Sequence, residues 1–326
     1  MPPFPVSDST LSAEALASWL STRYDWPVPV SCRLFRRGMN HVYQVQAASE
    51  RYILRIYTHG WRTREEVEAE LGWMQKLAPT GVVPLVIADR AGHTLQTLEA
   101  PEGIRYAVVF SFAPGHKHAH FSREASYQIG VALGKVHQLA ESQTLQRVDY
   151  TPKIMLVEAM KGIREFHKQP SESLDFLDKL AHWLLAQYPM PTAARRGAVH
   201  LDVWFDNLHF TPEGAVTILD FDFCGNGPLI YDVSYFLYQL LATHLDTEQY
   251  EDKAKAFIAG YEAQCTLSAE EKAWLPKACL AVMLYFFHMQ CATFDTFSNV
   301  FMNQDHLDRY VRSLRRWMGY QGLVLE

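Results

Sequence analysis

At 326 residues, with 48% hydrophobic and 13% aromatic content, the chain is long enough for two domains and apolar enough to bury a sizeable core. A net charge of -6 and a pI near 6.2 argue against a general nucleic-acid binder, which carries a basic excess, leave room for a local basic patch, and favour a neutral or cationic partner. Five scattered cysteines (32, 224, 265, 279 and 291), odd in number and without a C-x-x-C pair, indicate neither a disulfide framework nor a zinc site, and the cytoplasm is the expected compartment.

The N-terminal MPPFPVSDSTLSAEAL lacks a basic segment leading into an apolar core and does not read as a signal peptide. The next stretch is strand-rich. Leu34 to Arg37, then Val42-Tyr43-Gln44-Val45 and Tyr52-Ile53-Leu54-Arg55-Ile56-Tyr57, are β-branched, aromatic or alternating, and the polar AASER between the last two suits a hairpin turn. Leu95 to Leu98 and Tyr106 to Phe112 supply two further strands. A helix interrupts them at Thr63, where Glu66 three residues on completes a capping box, and Val67, Leu71, Met74 and Leu77 or Ala78 form its buried stripe. Glu70 lies near the edge of that stripe.

After Ala113-Pro114-Gly115 the pattern turns helical, with segments near 123–140, 153–168, 172–188, 233–243, 247–264, 269–294 and 304–318. The apolar run ACLAVMLYFF at 278–287 is about half of the roughly 20 residues a membrane span needs, so a buried helix is expected and no membrane partner. Arg312, Arg315 and Arg316 beside Trp317 have Leu314 and Met318 as an ordinary buried face. His116-x-His118-x-His120 could share one strand face and hold a metal, but it follows Pro-Gly and includes Lys117, so a polar loop is preferred.

The exception to the helices is 198–222. There Val216-Thr217-Ile218-Leu219 reads as a strand that Thr211-Pro212-Glu213-Gly214 turns back onto Asn207-Leu208-His209-Phe210. The stretch HLDVWFDN carries His200-x-Asp202-x-x-x-x-Asn207, and Asp220 follows the second strand. Two carboxylates and an amide around one hairpin are the parts of a metal-dependent phosphoryl transfer: one carboxylate takes an acceptor proton, while an amide oxygen and the other carboxylate are hard ligands for Mg2+ bridging phosphates.

On these residues the chain resembles the aminoglycoside phosphotransferase and choline kinase family, kinase-like enzymes that include type II homoserine kinases and a stress-response protein kinase. HLDVWFDN stands for the family's H-G-D-x-x-x-x-N, ILDFD for its I-D-F/W-D/E and GPLIYDVSYFL for its G-P-x-x-Y-D-L-A, and the likeness spans about residues 30–245. The resemblance implies an α+β, protein-kinase-like two-lobed fold. A small antiparallel-sheet nucleotide-binding lobe would occupy 1–112 and a large, mostly helical catalytic and substrate-binding lobe 113–326, with the hinge near 110–115.

Carried over by position, Asp202 is the catalytic base, Asn207 and Asp220 hold Mg2+, and His200 braces the loop. Leu201 replaces the family's Gly, which alters loop geometry and not the reacting groups. Asp222 is either part of the metal shell or a solvated acid. Arg55 takes the place of the phosphate-binding Lys, with Glu70 as its helix partner and Glu66 as the alternative. The phosphate loop falls at Arg36-Arg37-Gly38-Met39-Asn40, whose backbone around Gly38 approaches the phosphates; Phe110-Ser111-Phe112 is the segment that meets adenine. Asp232 caps a helix starting at Val233 and tethers the catalytic loop.

The expected activity is transfer of the γ-phosphate of ATP, with Mg2+, to the hydroxyl of a small molecule of homoserine, choline or aminoglycoside type. The alternatives are a protein Ser/Thr kinase of the stress-response type and a nucleotide-binding pseudoenzyme. Asp295, Asp305 and Asp308 are acids that an amine-bearing acceptor could meet, or simply an exposed helix face. The sequence sets no oligomeric state.

Overall fold

The computed structural model describes residues 4–118, 120–188, 194–243 and 246–325. Two compact units divide the chain, Met1–Pro114 and Gly115–Glu326.

In the first unit, α1 (Ala13–Ser21) precedes strands β1 (Val30–Arg37), β2 (Asn40–Ala47) and β3 (Glu50–Tyr57). Helix α2 (Arg64–Leu77) is followed by β4 (Val86–Ile87), β5 (Gln96–Ala100) and β6 (Gly103–Ser111). The strands form one antiparallel sheet in the order β1-β2-β3-β6-β4, with β5 also paired to β6. Side chains alternate across it. Leu54 and Ile56 of β3 join Tyr43, Val45, Ala107 and Val109 in a core closed by Leu16 and Leu20 of α1, a helix the sequence analysis did not anticipate. Arg55 and Tyr57 occupy the opposite face. Helix α2 begins as expected, since the Thr63 hydroxyl and the Glu66 carboxylate make both bonds of the capping box. Its stripe is wider than the spacing suggested, because Glu70 and Trp73 are buried with Val67, Leu71, Met74 and Leu77.

The second unit opens with α3 (Arg123–Ala140) and α4 (Ala159–Phe166), the latter preceded by a wide π-helical turn at Lys153–Glu158 where one continuous helix had been expected. Helix α5 (Glu172–Ala186) leads to strands β7 (Arg196–Val199), β8 (Leu208–Phe210), β9 (Val216–Ile218) and β10 (Gly225–Pro228), then to α6 (Ile230–Thr243), α7 (Thr247–Glu262), α8 (Ala269–Ala292) and α9 (Gln304–Tyr320). The expected hairpin is β8–β9, paired Leu208 to Ile218. A second antiparallel ribbon, β7–β10, was not foreseen: its Gly-Asn-Gly-Pro strand has no β-former.

Helices α3 and α7 approach backbone to backbone. A Cβ on Gly130 would lie 2.1 Å from the Phe257 carbonyl oxygen, and one on Gly260 would lie 2.0 Å from that of Tyr127. Helix α8 is the core of the unit. It is long and apolar enough to cross a membrane, the sole such helix among the described residues, yet Ala278, Cys279, Leu280, Ala281, Val282, Leu284 and Phe287 are fully buried in protein. On α9, Leu314, Trp317 and Met318 are buried, and the Trp317 indole donates to the Pro276 carbonyl at 2.9 Å.

Candidate active site

Residues 200–202 leave β7 in a conformation its sequence does not favour. Leu201 has φ +68°, a left-handed region that costs a branched side chain about 1–2 kcal/mol, and it is fully buried. Two bonds hold the bend. The N–H groups of His200 and Leu201 donate to Oδ2 and Oδ1 of Asp232 at 2.8 and 2.6 Å. Helix α6 starts at Ile230, so Asp232 sits inside its first turn and is not the cap that was expected, while its carboxylate does tether the loop, as expected. A buried partner missed in the sequence, His137 of α3, reaches the same carboxylate with Nε2 at 2.9 Å, while its Nδ1 lies 2.7 Å from the Tyr261 hydroxyl. The signal was one imidazole on an apolar helix face, between Leu133, Val136 and Ala140.

His200 is itself a brace. Its Nδ1 accepts from the Asp202 N–H at 3.1 Å, so Nε2 carries the proton and donates to the Leu219 carbonyl at 2.9 Å. Burial lowers its pKa, against the charge of Asp232, and keeps the ring neutral. The imidazole thereby links the 200–202 bend to the end of β9, one residue before Asp220.

Asn207, at the same open end of the hairpin, donates through Nδ2 to both the carbonyl and Oδ2 of Asp202, at 3.0 and 2.8 Å. Both amide protons are thus engaged, and Oδ1 is the remaining polar atom of the side chain. The Leu219 N–H donates to the Asn207 carbonyl at 2.8 Å, which sets Asp220 beside Asn207. Asp220 is exposed and adopts φ +63°. The Asp202 carboxyl is pushed well above the usual carboxylate range, first by burial and then by the charges of Asp220 and Asp222, while bonds from Tyr235 and Asn207 pull the other way. Asp222 is buried, which excludes the reading of it as a solvated acid. The segment after Asp220 is clamped: Arg147 donates to the carbonyls of Asp222 and Cys224, and the Tyr150 hydroxyl to that of Phe223.

Tyr235, also missed, donates to Oδ1 of Asp202 at 3.2 Å. It lies three residues past Asp232 on α6, hence on the same face. The histidine triplet plays a different part. His116 pairs its backbone with Phe210, and the His118 ring stacks on Phe210 at 4.6 Å. No three His, Cys, Asp or Glu side chains gather around one metal position among the described residues. Asp308 is engaged by Ser173 and Gln304.

In the first unit Arg55 and Glu70 meet as expected. Arg55 Nη1 donates to Glu70 Oε1 at 2.8 Å, and the Tyr57 hydroxyl donates to Oε2 at 2.9 Å. Glu66 is occupied by the capping box. Gly38 makes the bend between β1 and β2 and donates its N–H to the Asn40 carbonyl at 3.2 Å; the neighbouring Met39 carbonyl accepts from the Thr58 hydroxyl. Asn40 also accepts from the Thr58 N–H through Oδ1 at 3.4 Å, while Arg37 is held by Asp8 at 2.6 Å. Ser111 exchanges bonds with Leu85, its N–H to that carbonyl and its hydroxyl oxygen to that N–H, and the Arg51 guanidinium lies 3.9 Å over the Phe112 ring.

An antiparallel sheet followed by a helical unit bearing this hairpin is the α+β, protein-kinase-like fold. The sequence profile of the phosphotransferase enzyme family matches residues 31–265, and the chain belongs to that family, as a kinase-type enzyme. It is 27% identical over 280 residues to a homoserine kinase of Gluconobacter oxydans, covering 85% of this chain and 86% of the relative. Among solved structures it is similar to a microcompartment-associated aminopropanol kinase (TM-score 0.74, 20% identity, 96% of this chain and 100% of that one). It is also similar to an amicoumacin kinase solved with AMP-PNP and Ca2+ (TM-score 0.73, 21% identity, 95% and 94%).

Proposed function

We propose that the protein transfers the γ-phosphate of ATP, with Mg2+, to the hydroxyl of a small molecule. The observation that carries this reading is Asn207: its amide protons fix Asp202, and its backbone carbonyl accepts from the Leu219 N–H, the residue before Asp220. That donor set is all hard oxygen, which suits Mg2+. Burial first, and then the charges of Asp220 and Asp222, push the Asp202 carboxyl upward, and a divalent cation would offset the part that comes from those charges. Asn207 and Asp220 would hold the metal, which when bound neutralises charge on the phosphate oxygens. Asp202 orients the acceptor hydroxyl and takes its proton, and His200 positions the loop without transferring protons.

In the first unit, the Arg55–Glu70 pair and the backbone around Gly38 and Asn40 are the groups that fit nucleotide phosphates. Ser111 and Phe112 belong to the segment that meets adenine; because the Ser111 N–H is already bonded to Leu85, its N–H is not the adenine contact. The 1–112 segment is accordingly assigned to nucleotide and 113–326 to catalysis and the acceptor. Use of ATP and five cysteines that form no disulfide fit the cytoplasm. The relatives' names, homoserine kinase and aminopropanol kinase, favour an amino alcohol as acceptor.

The test is ADP release from Mg-ATP with homoserine, choline, ethanolamine, sugars, aminoglycosides and a generic protein in parallel. Transfer to a small alcohol that needs Mg2+ and falls by about 10² to 10⁴ in Asp202→Asn supports the reading. Transfer to the protein alone replaces it with a protein kinase, and no nucleotide affinity by calorimetry ends it.

A further inference from the structure

Resting on this phosphotransfer reading, we propose that Tyr235 is a positioning residue that sets the direction in which Asp202 receives the acceptor, and so favours an alcohol over water.

The two oxygens of Asp202 are held differently. Oδ2 accepts from Asn207 at 2.8 Å, whereas among the described residues Oδ1 accepts only the Tyr235 hydroxyl, at 3.2 Å. A hydroxyl bound to a carboxylate normally lies about 2.5–2.7 Å away, so Oδ1 keeps capacity for a second donor. Oδ1 is therefore the oxygen that meets the acceptor, from the side Tyr235 leaves open.

Tyr235 is built to hold still. Its ring stacks on Phe286 of α8 with centroids 5.1 Å apart and planes 22° apart. Asp232, three residues earlier on α6, fixes the backbone of 200 and 201, so one rigid helix aligns both the main chain and the carboxylate of the loop.

In the step itself the acceptor O–H bond breaks and its proton passes to Oδ1 of Asp202. The acceptor oxygen bonds to the γ-phosphorus as the bond to the β,γ-bridging oxygen breaks, its electron pair leaving with ADP. Tyr235 keeps its own proton throughout. Water has two protons and no substituent, so it can meet Asp202 from several directions; an alcohol has one productive approach.

Tyr235→Phe retains the ring and its stack on Phe286 while removing the hydroxyl. Rates would be measured as ADP release from Mg-ATP with homoserine, choline or ethanolamine, and with water alone. We expect the ratio of alcohol transfer to hydrolysis to fall about tenfold through kcat, with KM for ATP and the melting temperature unchanged. Adding Tyr235→Phe to Asp202→Asn should then cost nothing further. An unchanged ratio, a loss expressed only in KM for ATP, or a full additional loss in the double variant each overturns the proposal. A wild-type enzyme that hydrolyses ATP but phosphorylates none of these alcohols overturns the selectivity while leaving the metal and nucleotide assignments standing. Loss of transfer in wild type together with loss of nucleotide binding removes the underlying reading instead.

Discussion

The backbone N–H of Leu201 donates to Oδ1 of Asp232 at 2.6 Å, and this bond secures a leucine in a left-handed conformation that glycine adopts without strain. Two terms oppose each other at that position. Relief of the strain gains about 1–2 kcal/mol, and loss of a fully buried leucine side chain costs about 2–5 kcal/mol. Leu201→Gly should therefore lower stability by a net of up to about 4 kcal/mol, seen as a lower denaturant midpoint, while Asp202-dependent activity survives. An increase in stability would show that the strain exceeds the packing.

Asp232 accepts from His200, Leu201 and His137, all in the interior. Asn in its place keeps one acceptor oxygen and turns an NH2 toward donors. Removing one partner of such a buried polar group costs about 3–5 kcal/mol when it was charged. The 200–202 bend should loosen with it. Asp232→Asn is expected to lose both stability and turnover, with amide exchange at His200 and Leu201 accelerated ahead of the rest of the unit. Unchanged exchange at those two amides would remove the tether from the account.

Glu70 has no exposed side-chain surface, and Arg55 is nearly as buried. Glu70→Ala strands the guanidinium in the interior, at a cost of about 3–5 kcal/mol. Arg55→Lys is milder on the fold: an ammonium can still pair with Glu70 but loses the planar contact over the Phe110 ring, now at 5.0 Å. Calorimetry with Mg-ATP should show weaker binding in Glu70→Ala and retained binding in Arg55→Lys. Equal affinity in all three proteins would detach the pair from nucleotide binding.

Local periodicity carried much of the fold and hairpin into view. The capping box at Thr63, the β2–β3 hairpin and the β8–β9 hairpin each depend on residues within a few positions of one another. His200, Asp202, Asn207 and Asp220 were legible because one hairpin gathers them. The β7–β10 ribbon was not, since its pairing of Gly225 with Val199 spans 26 residues and needs no β-forming side chain. His137 and Tyr235 were hidden for a related reason: each looks like an ordinary core residue on its own helix, and only tertiary packing reveals the carboxylate it meets. The burial of Glu70 was likewise set by the face of β3 that α2 covers, a choice periodicity alone does not make.

Three histidines of the second unit give its stability a pH dependence of definite sign. His167 and His306 both stack against the Phe287 ring, with centroids 5.8 and 6.2 Å from it, and His288 is the next residue of α8. Burial lowers the pKa of all three; Arg309 and His167 push His306 further down, while Glu165 and Glu158 oppose the shift at His288. A folded-state value below the unfolded one, near 6.5 for a free imidazole, means that the unfolded chain binds more protons as the solution is acidified. These contributions are intact above about pH 6.5 and are lost as pH falls through it. His41 and His200 carry the same sign, and the raised Asp202 carboxyl carries the opposite one. Asp89 and Glu102, held below their usual range, lose their contribution only nearer about pH 4. The melting temperature should therefore decline between about pH 7.5 and about pH 5.5, and less steeply in His306→Gln, which cannot take up the proton. A flat profile over that interval, or the same slope in the variant, would mean that these rings are as accessible to protons in the folded chain as in the unfolded one.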